Sequence, residues 1–280
     1  MDVYDLCVGE CAVGDRTPYD VNRSFIENAA ADYQAASVAK SWHLLPRAPR
    51  GMPDTVVAGS LTKGQLTSLY TDRMVRTSGQ ARRVYDDIQV AAGGHCPFCG
   101  GVGYVATLDH YLPKSGFPLF SVLPTNLVPC CRDCNTGKSA AFGTTAEQQP
   151  LHPYADDPKF FTERWIRARL VPTDPIGVVF YCAAPTTWSP TEQARAYSHF
   201  TDYRLADRYK TLAGAEANKV VGQRRGTLRG MTSDGFREYL LEAADEPGYD
   251  LNGWNRTTYA ALADTNWFWQ WLPSTSSGTS

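Results

Sequence analysis

Four of the eight cysteines fall into two C-x-x-C pairs, Cys96/Cys99 and Cys131/Cys134, with 31 residues between the pairs. A C-x-x-C turn aims two thiolates at one ion, and two such turns complete a tetrahedral site with Zn–S bonds of about 2.3 Å. In a reducing compartment such pairs point to metal or redox chemistry before disulfides. Four free thiols, or one redox-active pair, are the alternatives. The compact Gly-rich segment between the pairs favours zinc, and Gly100 suits the tight turn of a knuckle. Cys130 adjoins Cys131, and Cys131 is preferred as ligand because its spacing to Cys134 repeats that of the first pair. Four thiolates fill the coordination shell, so this zinc would be structural and not catalytic. Cys7, Cys11 and Cys182 read as ordinary thiols.

Between the pairs runs Leu108-Asp109-His110-Tyr111-Leu112-Pro113-Lys114-Ser115, and from Pro124 the chain reads Thr125-Asn126-Leu127-Val128-Pro129-Cys130-Cys131-Arg132-Asp133-Cys134-Asn135-Thr136-Gly137-Lys138. Taken singly, an Asp-His pair is usually a surface loop or a cap, and an Asn is usually a turn or helix-start residue. Together they form an Asp-His at the end of a strand, an Asn before a second strand, and a third polar residue nine positions later on a helix. This arrangement resembles the HNH endonuclease family, through Asp109, His110, Asn126 and Asn135. The run Asn-Leu-Val-Pro-x-Cys-x-x-Cys-Asn-x-x-Lys is similar to the zinc-knuckle branch of that family. The resemblance covers about 45 of the 280 residues.

What the resemblance implies is a ββα-metal core that hydrolyses phosphodiester bonds. That reaction needs an activated water and relief of charge on the phosphate. A neutral imidazole accepts the water's proton near pH 7, and a divalent ion with oxygen ligands relieves the charge. By the resemblance His110 is the general base, Asp109 and Asn135 hold the catalytic ion, and Asn126 positions the loop carrying His110. The third motif position is Asn where the family name implies His. An amide oxygen is a harder ligand than imidazole, so Mg²⁺ or Mn²⁺ is expected over a softer metal. Lys114 and Lys138 are candidate phosphate contacts, and His152 lies just beyond the motif. Asp109 and His110 can serve one site only where the strand ends or turns, since strand neighbours face opposite ways. The rival readings are a non-catalytic zinc-knuckle module binding nucleic acid or protein, and an RNA-directed nuclease.

The elements that must position these residues are expected to be α+β. Residues 1–92 read as mostly helical. Phe25, Ala29 and Tyr33 sit at helical spacing between Asn22 and Leu44, Thr62-x-x-Gln65 is a capping box, and a helix from Gln80 to Ala91 stops at Gly93-Gly94. Residues 93–150 form the core, with strands over 103–109 and 126–129 and a helix from Asp133 through Ala141. Residues 151–272 read as an α+β region. Ile176–Ala183 is a strand there, and Ser189-Pro190-Thr191-Glu192 caps a long helix to Arg229 that breaks at Gly214 or Gly222. Shorter helices follow over Asp234–Ala244 and Arg256–Asp264, and 273–280 is expected to be a disordered tail.

Composition bounds the partners. With 43% hydrophobic and 20% charged residues and a net charge of -2, the chain suits a globular protein and not one that merely coats nucleic acid. No apolar run reaches the roughly 20 residues of a membrane span, and the N-terminus lacks a secretory signal pattern, so a cytoplasmic protein with no membrane partner is expected. The partner expected is nucleic acid, DNA first. Phosphate-steering charge would come from Arg73, Arg76, Arg82 and Arg83, from Lys159, Arg164, Arg167 and Arg169, or from Arg204, Arg208, Lys210, Lys219, Arg224, Arg225 and Arg229. The resemblance further implies a role in antiviral defence beside an ATPase or sensor protein.

Overall fold

The structure, a computed structural model, describes residues 2–76, 78–137 and 142–270. The fold is α+β, and the chain divides into two compact units: residues 1–98 with 103–157, and residues 99–102 with 158–280.

In the first unit the helices are α1 (Val3–Gly9), α2 (Thr17–Val21), α3 (Arg23–Ala39), α4 (Lys63–Leu69) and α5 (Gln80–Ala91), with a short ribbon of β1 (Val56–Ala58) and β2 (Leu61–Thr62) ahead of α4. The capping box at Thr62 forms in full. Its hydroxyl accepts from Gln65 N at 3.2 Å, and the Gln65 side chain accepts from Thr62 N at 2.8 Å, satisfying two donors that a helix start otherwise leaves open. α3 buries Ile26, Ala29, Tyr33 and Ala36, while Phe25 is exposed, so the inward stripe starts one residue later than the sequence spacing suggested. α4 runs into a π-helical turn, Tyr70–Met74, that keeps Tyr70 and Met74 buried.

The same unit holds the hairpin β3 (Thr107–His110) and β4 (Leu127–Cys130), followed by α6 (Arg132–Gly137). The strands are antiparallel, with Thr107 opposite Cys130, Leu108 opposite Pro129, Asp109 opposite Val128 and His110 opposite Leu127. A proline is tolerated in β4 because a two-stranded sheet is all edge. Residues 103–106 lie outside the strand, with Tyr104 forming an isolated bridge to His95. Residues 1–92 and 93–150, read apart in the sequence, share one core. Leu108, Val122 and Leu127 pack with Tyr4, Cys7, Leu66, Leu69, Tyr70 and Tyr85. A four-residue hairpin cannot bury enough apolar surface to stand alone, and the helices supply the missing face.

The second unit contains α7 (Lys159–Thr162), the hairpin β5 (Ile166–Val171) and β6 (Gly177–Cys182), then α8 (Pro190–Asp202), α9 (Leu205–Arg225), α10 (Ser233–Ala244), α11 (Trp254–Asp264) and α12 (Asn266–Trp269). α9 packs against β6, and α11 against β5 and α10. The long helix breaks at Arg204, whose φ is 51°, and not at either glycine. Gly214 and Gly222 sit inside α9. An interior glycine costs about 1 kcal/mol, and the buried face Ala213, Ala217 and Val220 offsets it. The expected helix end at 138–141 and the tail at 273–280 lie outside the described residues.

Candidate functional site

The sulfurs of Cys96, Cys99, Cys131 and Cys134 lie within 4.8 Å of one another, and all four residues are buried. A tetrahedron of Zn–S bonds of about 2.3 Å has S···S edges of about 3.8 Å, so one ion would draw these thiols in only slightly. The first knuckle is a 3₁₀ turn, Pro97–Cys99, followed by Gly100 and Gly101 at φ 54° and 79°. That left-handed pair is one that residues with a Cβ rarely adopt. Cys96 N donates to Gly103 O at 3.0 Å and closes the turn. In the second knuckle Cys134 N points at Cys131 Sγ at 3.5 Å. Cys130 is not one of the four. Its thiol contacts the sulfurs of Cys134 and Cys96 and donates to Cys131 O at 3.3 Å. The set is all sulfur and closed, suited to a structural zinc.

β3 ends at His110, where the chain turns away. His110 is 7% exposed and its Nε2 lies 2.8 Å from Ser121 O. A carbonyl only accepts, so Nε2 carries the proton, and in the neutral ring Nδ1 is the basic nitrogen. Asp109 precedes it at 9% exposure. The exit loop is clamped by Asn126, which is fully buried. Its Oδ1 accepts from Leu112 N at 2.8 Å, and its Nδ2 donates to Leu112 O and Phe120 O, each at 3.1 Å. Its own carbonyl accepts from Tyr111 N at 2.8 Å. The side chain thus ties Leu112 to Phe120, while the backbone carbonyl holds Tyr111. α6, which carries Asn135 on an exposed position, packs against β3.

Tyr70 flanks the imidazole, and Lys114 lies against Tyr70. The Tyr70 ring meets it edge to face, and the Tyr70 hydroxyl donates to Leu108 O at 3.1 Å. Burial pushes the Tyr70 phenol up, and the nearby Tyr85 and Asp109 add to that. Lys114 is half-buried with its Nζ 4.8 Å from the centre of the Tyr70 ring. Its burial holds the ammonium pKa below the usual lysine range, with Asp72 opposing.

Over 230 residues the chain is 37% identical to Protein ea31 of Escherichia phage lambda, covering 78% of each. The chain belongs to the ea31 family. No family model and no solved structure matches it. The likeness to ea31 runs far past the hairpin, over most of both chains.

Other candidates in this ea31-family chain are committed to its own structure. His152 is 2% exposed; its Nδ1 accepts from Tyr154 N at 3.3 Å, its Nε2 lies 3.2 Å from Thr125 O, and its ring stacks on Trp42. Arg224 is fully buried, donating to Leu228 O and Met231 O at 2.8 Å beneath Phe236, and so leaves the expected phosphate-steering cluster. Arg204 pairs with Asp207, Lys219 with Glu216, Lys159 with Glu192, and Arg82 with Asp86. Lys138 lies outside the described residues. Sequence reading missed Tyr70 and Ser121 at the imidazole. Ser121 acts through its carbonyl, for which no residue type is a signal, and Tyr70 is 40 positions from His110 with only its helical spacing to mark it. Among the described residues no helix is long and apolar enough to cross a membrane.

Proposed function

We propose that this ea31-family chain is a metal-dependent endonuclease of the HNH type, hydrolysing phosphodiester bonds of DNA, with the four-cysteine zinc as scaffold and His110 as general base. The observation that carries the reading is the terminus of β3. Asp109 and His110 occupy adjacent buried positions there, with the imidazole tied through Nε2 to Ser121 O and the exit loop clamped by Asn126. A zinc scaffold alone has no use for an imidazole held in one orientation at the end of its hairpin.

In this reading Nδ1 of His110 takes the proton of the attacking water. The Ser121 carbonyl holds the ring in one tautomer and would stabilise the imidazolium that forms. Asn126 keeps the 110–112 backbone from drifting, since an ångström of misplacement costs orders of magnitude in rate. Lys114, beside Tyr70, would meet a phosphate oxygen. Asp109 and Asn135 would hold Mg²⁺ or Mn²⁺, which when bound would polarise the phosphate and stabilise the leaving oxygen. The donor set suits a hard ion, one carboxylate and one amide oxygen with the remaining positions left to water and phosphate. Among the described residues the four cysteines form the one cage of three or more His, Cys, Asp or Glu side chains. A role in conflict between phage and host, beside an ATPase or sensor partner, is part of the same proposal. A relative from a phage fits that setting.

The test is cleavage of plasmid, single-stranded DNA and RNA with and without Mg²⁺, by the wild type and by His110→Ala. The variant should lose Mg²⁺-dependent cleavage while keeping its zinc and its circular dichroism spectrum. Equal cleavage by the variant removes His110 as base. Cleavage of RNA alone makes the enzyme a ribonuclease, and no cleavage by the wild type leaves the zinc-knuckle binding module.

A further inference from the structure

The second unit carries a feature that the catalytic hairpin does not explain. β5 and β6 alternate strictly. Ile166 and Leu170 from one strand, with Val178 and Phe180 from the other, are buried. The opposite face presents Arg167 and Arg169, both exposed, and Tyr181, 43% exposed. In the register Arg167 stands directly across from Tyr181, and Arg169 across from Val179. Side chains two apart on a strand project from the same face at about 6.7 Å spacing, and directly opposed residues lie about 5 Å apart. Two guanidinium groups and an open aromatic ring therefore share one side of a narrow ribbon.

None of the three is buried, although Arg167 borders a small crevice with Arg164 and Asp264. Among the described residues neither arginine has an ion pair or a side-chain hydrogen bond. Among the same residues the Tyr181 hydroxyl has no hydrogen-bond partner, and its ring meets no other ring or cation. This contrasts with neighbouring basic residues of the same unit. Lys159 is neutralised by Glu192 at 2.7 Å, Arg164 faces Asp245 at 3.8 Å, and Arg204 and Lys219 pair on their own helices. On a chain of net charge -2, uncompensated cations concentrated on one strand face attract a polyanion locally without making the whole protein basic.

We propose that the outward face of the β5–β6 hairpin is a docking surface for single-stranded nucleic acid. Arg167 and Arg169 meet consecutive phosphates, and an unstacked base lies on the ring of Tyr181. Arginine forks match phosphate geometry, and aromatic platforms beside cationic grooves bind single strands because every base has a π-face. A duplex keeps its bases stacked and gives Tyr181 nothing to hold. The proposal shares with the nuclease reading only the class of substrate.

The experiment measures binding, not cleavage. Full-length His110→Ala protein is titrated into fluorescently labelled 20-mers of single-stranded DNA, single-stranded RNA and duplex DNA, and anisotropy is read over a range of salt. Arg167→Glu/Arg169→Glu should weaken single-strand binding at least tenfold. The milder Arg167→Gln/Arg169→Gln pair should flatten the salt dependence by about 1.4, two phosphates at roughly 0.7 each. Tyr181→Ala should weaken single-strand binding about fivefold or more, leave the salt slope and duplex binding unchanged, and be rescued by Tyr181→Phe. Zinc content and circular dichroism confirm that each variant is folded. Wild-type-like binding by the glutamate pair, equal loss on duplex and single strand in Tyr181→Ala, or no binding by the parent protein would each overturn the proposal. The same surface variants in a His110 background then separate the two readings. Cleavage with an unchanged KM removes the ribbon and keeps the nuclease, whereas binding without cleavage keeps the ribbon and removes the nuclease.

Discussion

The imidazole of His110 and the ring of Tyr70 meet edge to face, with centroids 4.3 Å apart and planes at 69°. Tyr70 is fixed at both ends. Its hydroxyl holds Leu108 O, two residues before His110 on the same strand, and its backbone starts the π-helical turn after α4. π-turns often occur at functional sites because they re-aim a side chain that a regular helix would send elsewhere. Tyr70 is thus a positioning residue for the imidazole. Tyr70→Leu should lower kcat roughly tenfold with little change in KM, while Tyr70→Phe, which keeps the ring, should lose less than threefold. Steady-state cleavage kinetics check this, and equal losses in the two variants would reduce the tyrosine to filler.

Asn126→Ala should unfold at markedly lower denaturant. It removes three side-chain hydrogen bonds and leaves Leu112 N, Leu112 O and Phe120 O buried without that partner. Phe120 O keeps Leu123 N as a partner, so at about 1 kcal/mol or more for each of the two stranded Leu112 groups the loss should be about 2 kcal/mol. Urea titration followed by tryptophan fluorescence measures it.

The two adjacent cysteines should behave differently. Cys131→Ser removes a ligand and should lose stoichiometric zinc together with cooperative unfolding of the hairpin unit, because metal-site binding energy is also folding energy. Cys130→Ser should keep one zinc per chain. Metal analysis after gel filtration decides it, and zinc loss in the Cys130 variant alone would exchange the two assignments.

Lys114 gives a pH-dependent prediction. Burial lowers its pKa in the folded state, so between the folded and unfolded values the unfolded chain binds more protons and stability rises with pH. Lys114→Met removes that titration. The stability of the variant relative to wild type should be greatest at neutral pH and decline as pH rises through the depressed lysine pKa toward 10.5. Paired denaturant melts across alkaline pH check the sign, and a stability of Lys114→Met relative to wild type that rises with pH refutes it.

The site was legible where residue type and spacing act locally. Two C-x-x-C turns can only be brought together around something small, and both capping boxes, at Thr62 and Ser189, formed as read. The hairpin was legible in kind, but its first strand is shorter than the apolar run suggested, because residues 100–105 are used to close the knuckle. Long-range contacts were not legible. Nothing local marks Tyr70 as a neighbour of His110, or the Ser121 carbonyl as its anchor.

In the second unit β5 lies beyond the strands expected from sequence, although Ile166, Ala168 and Leu170 alternate with Arg167 and Arg169 at period 2. The helix break expected at a glycine occurs instead at Arg204, since packing along α9 outweighs the intrinsic cost of Gly214 and Gly222.

The four-sulfur knuckle also sets the electrostatics of the hairpin it anchors. Four thiolates around one divalent cation leave a net formal charge of about −2. That charge would lie near Asp109, since α6, which carries Cys134, packs against β3. Left to itself, the underside of the hairpin would repel a phosphodiester. In the proposed nuclease reading, the attraction that brings a strand to His110 would come from cations outside the knuckle.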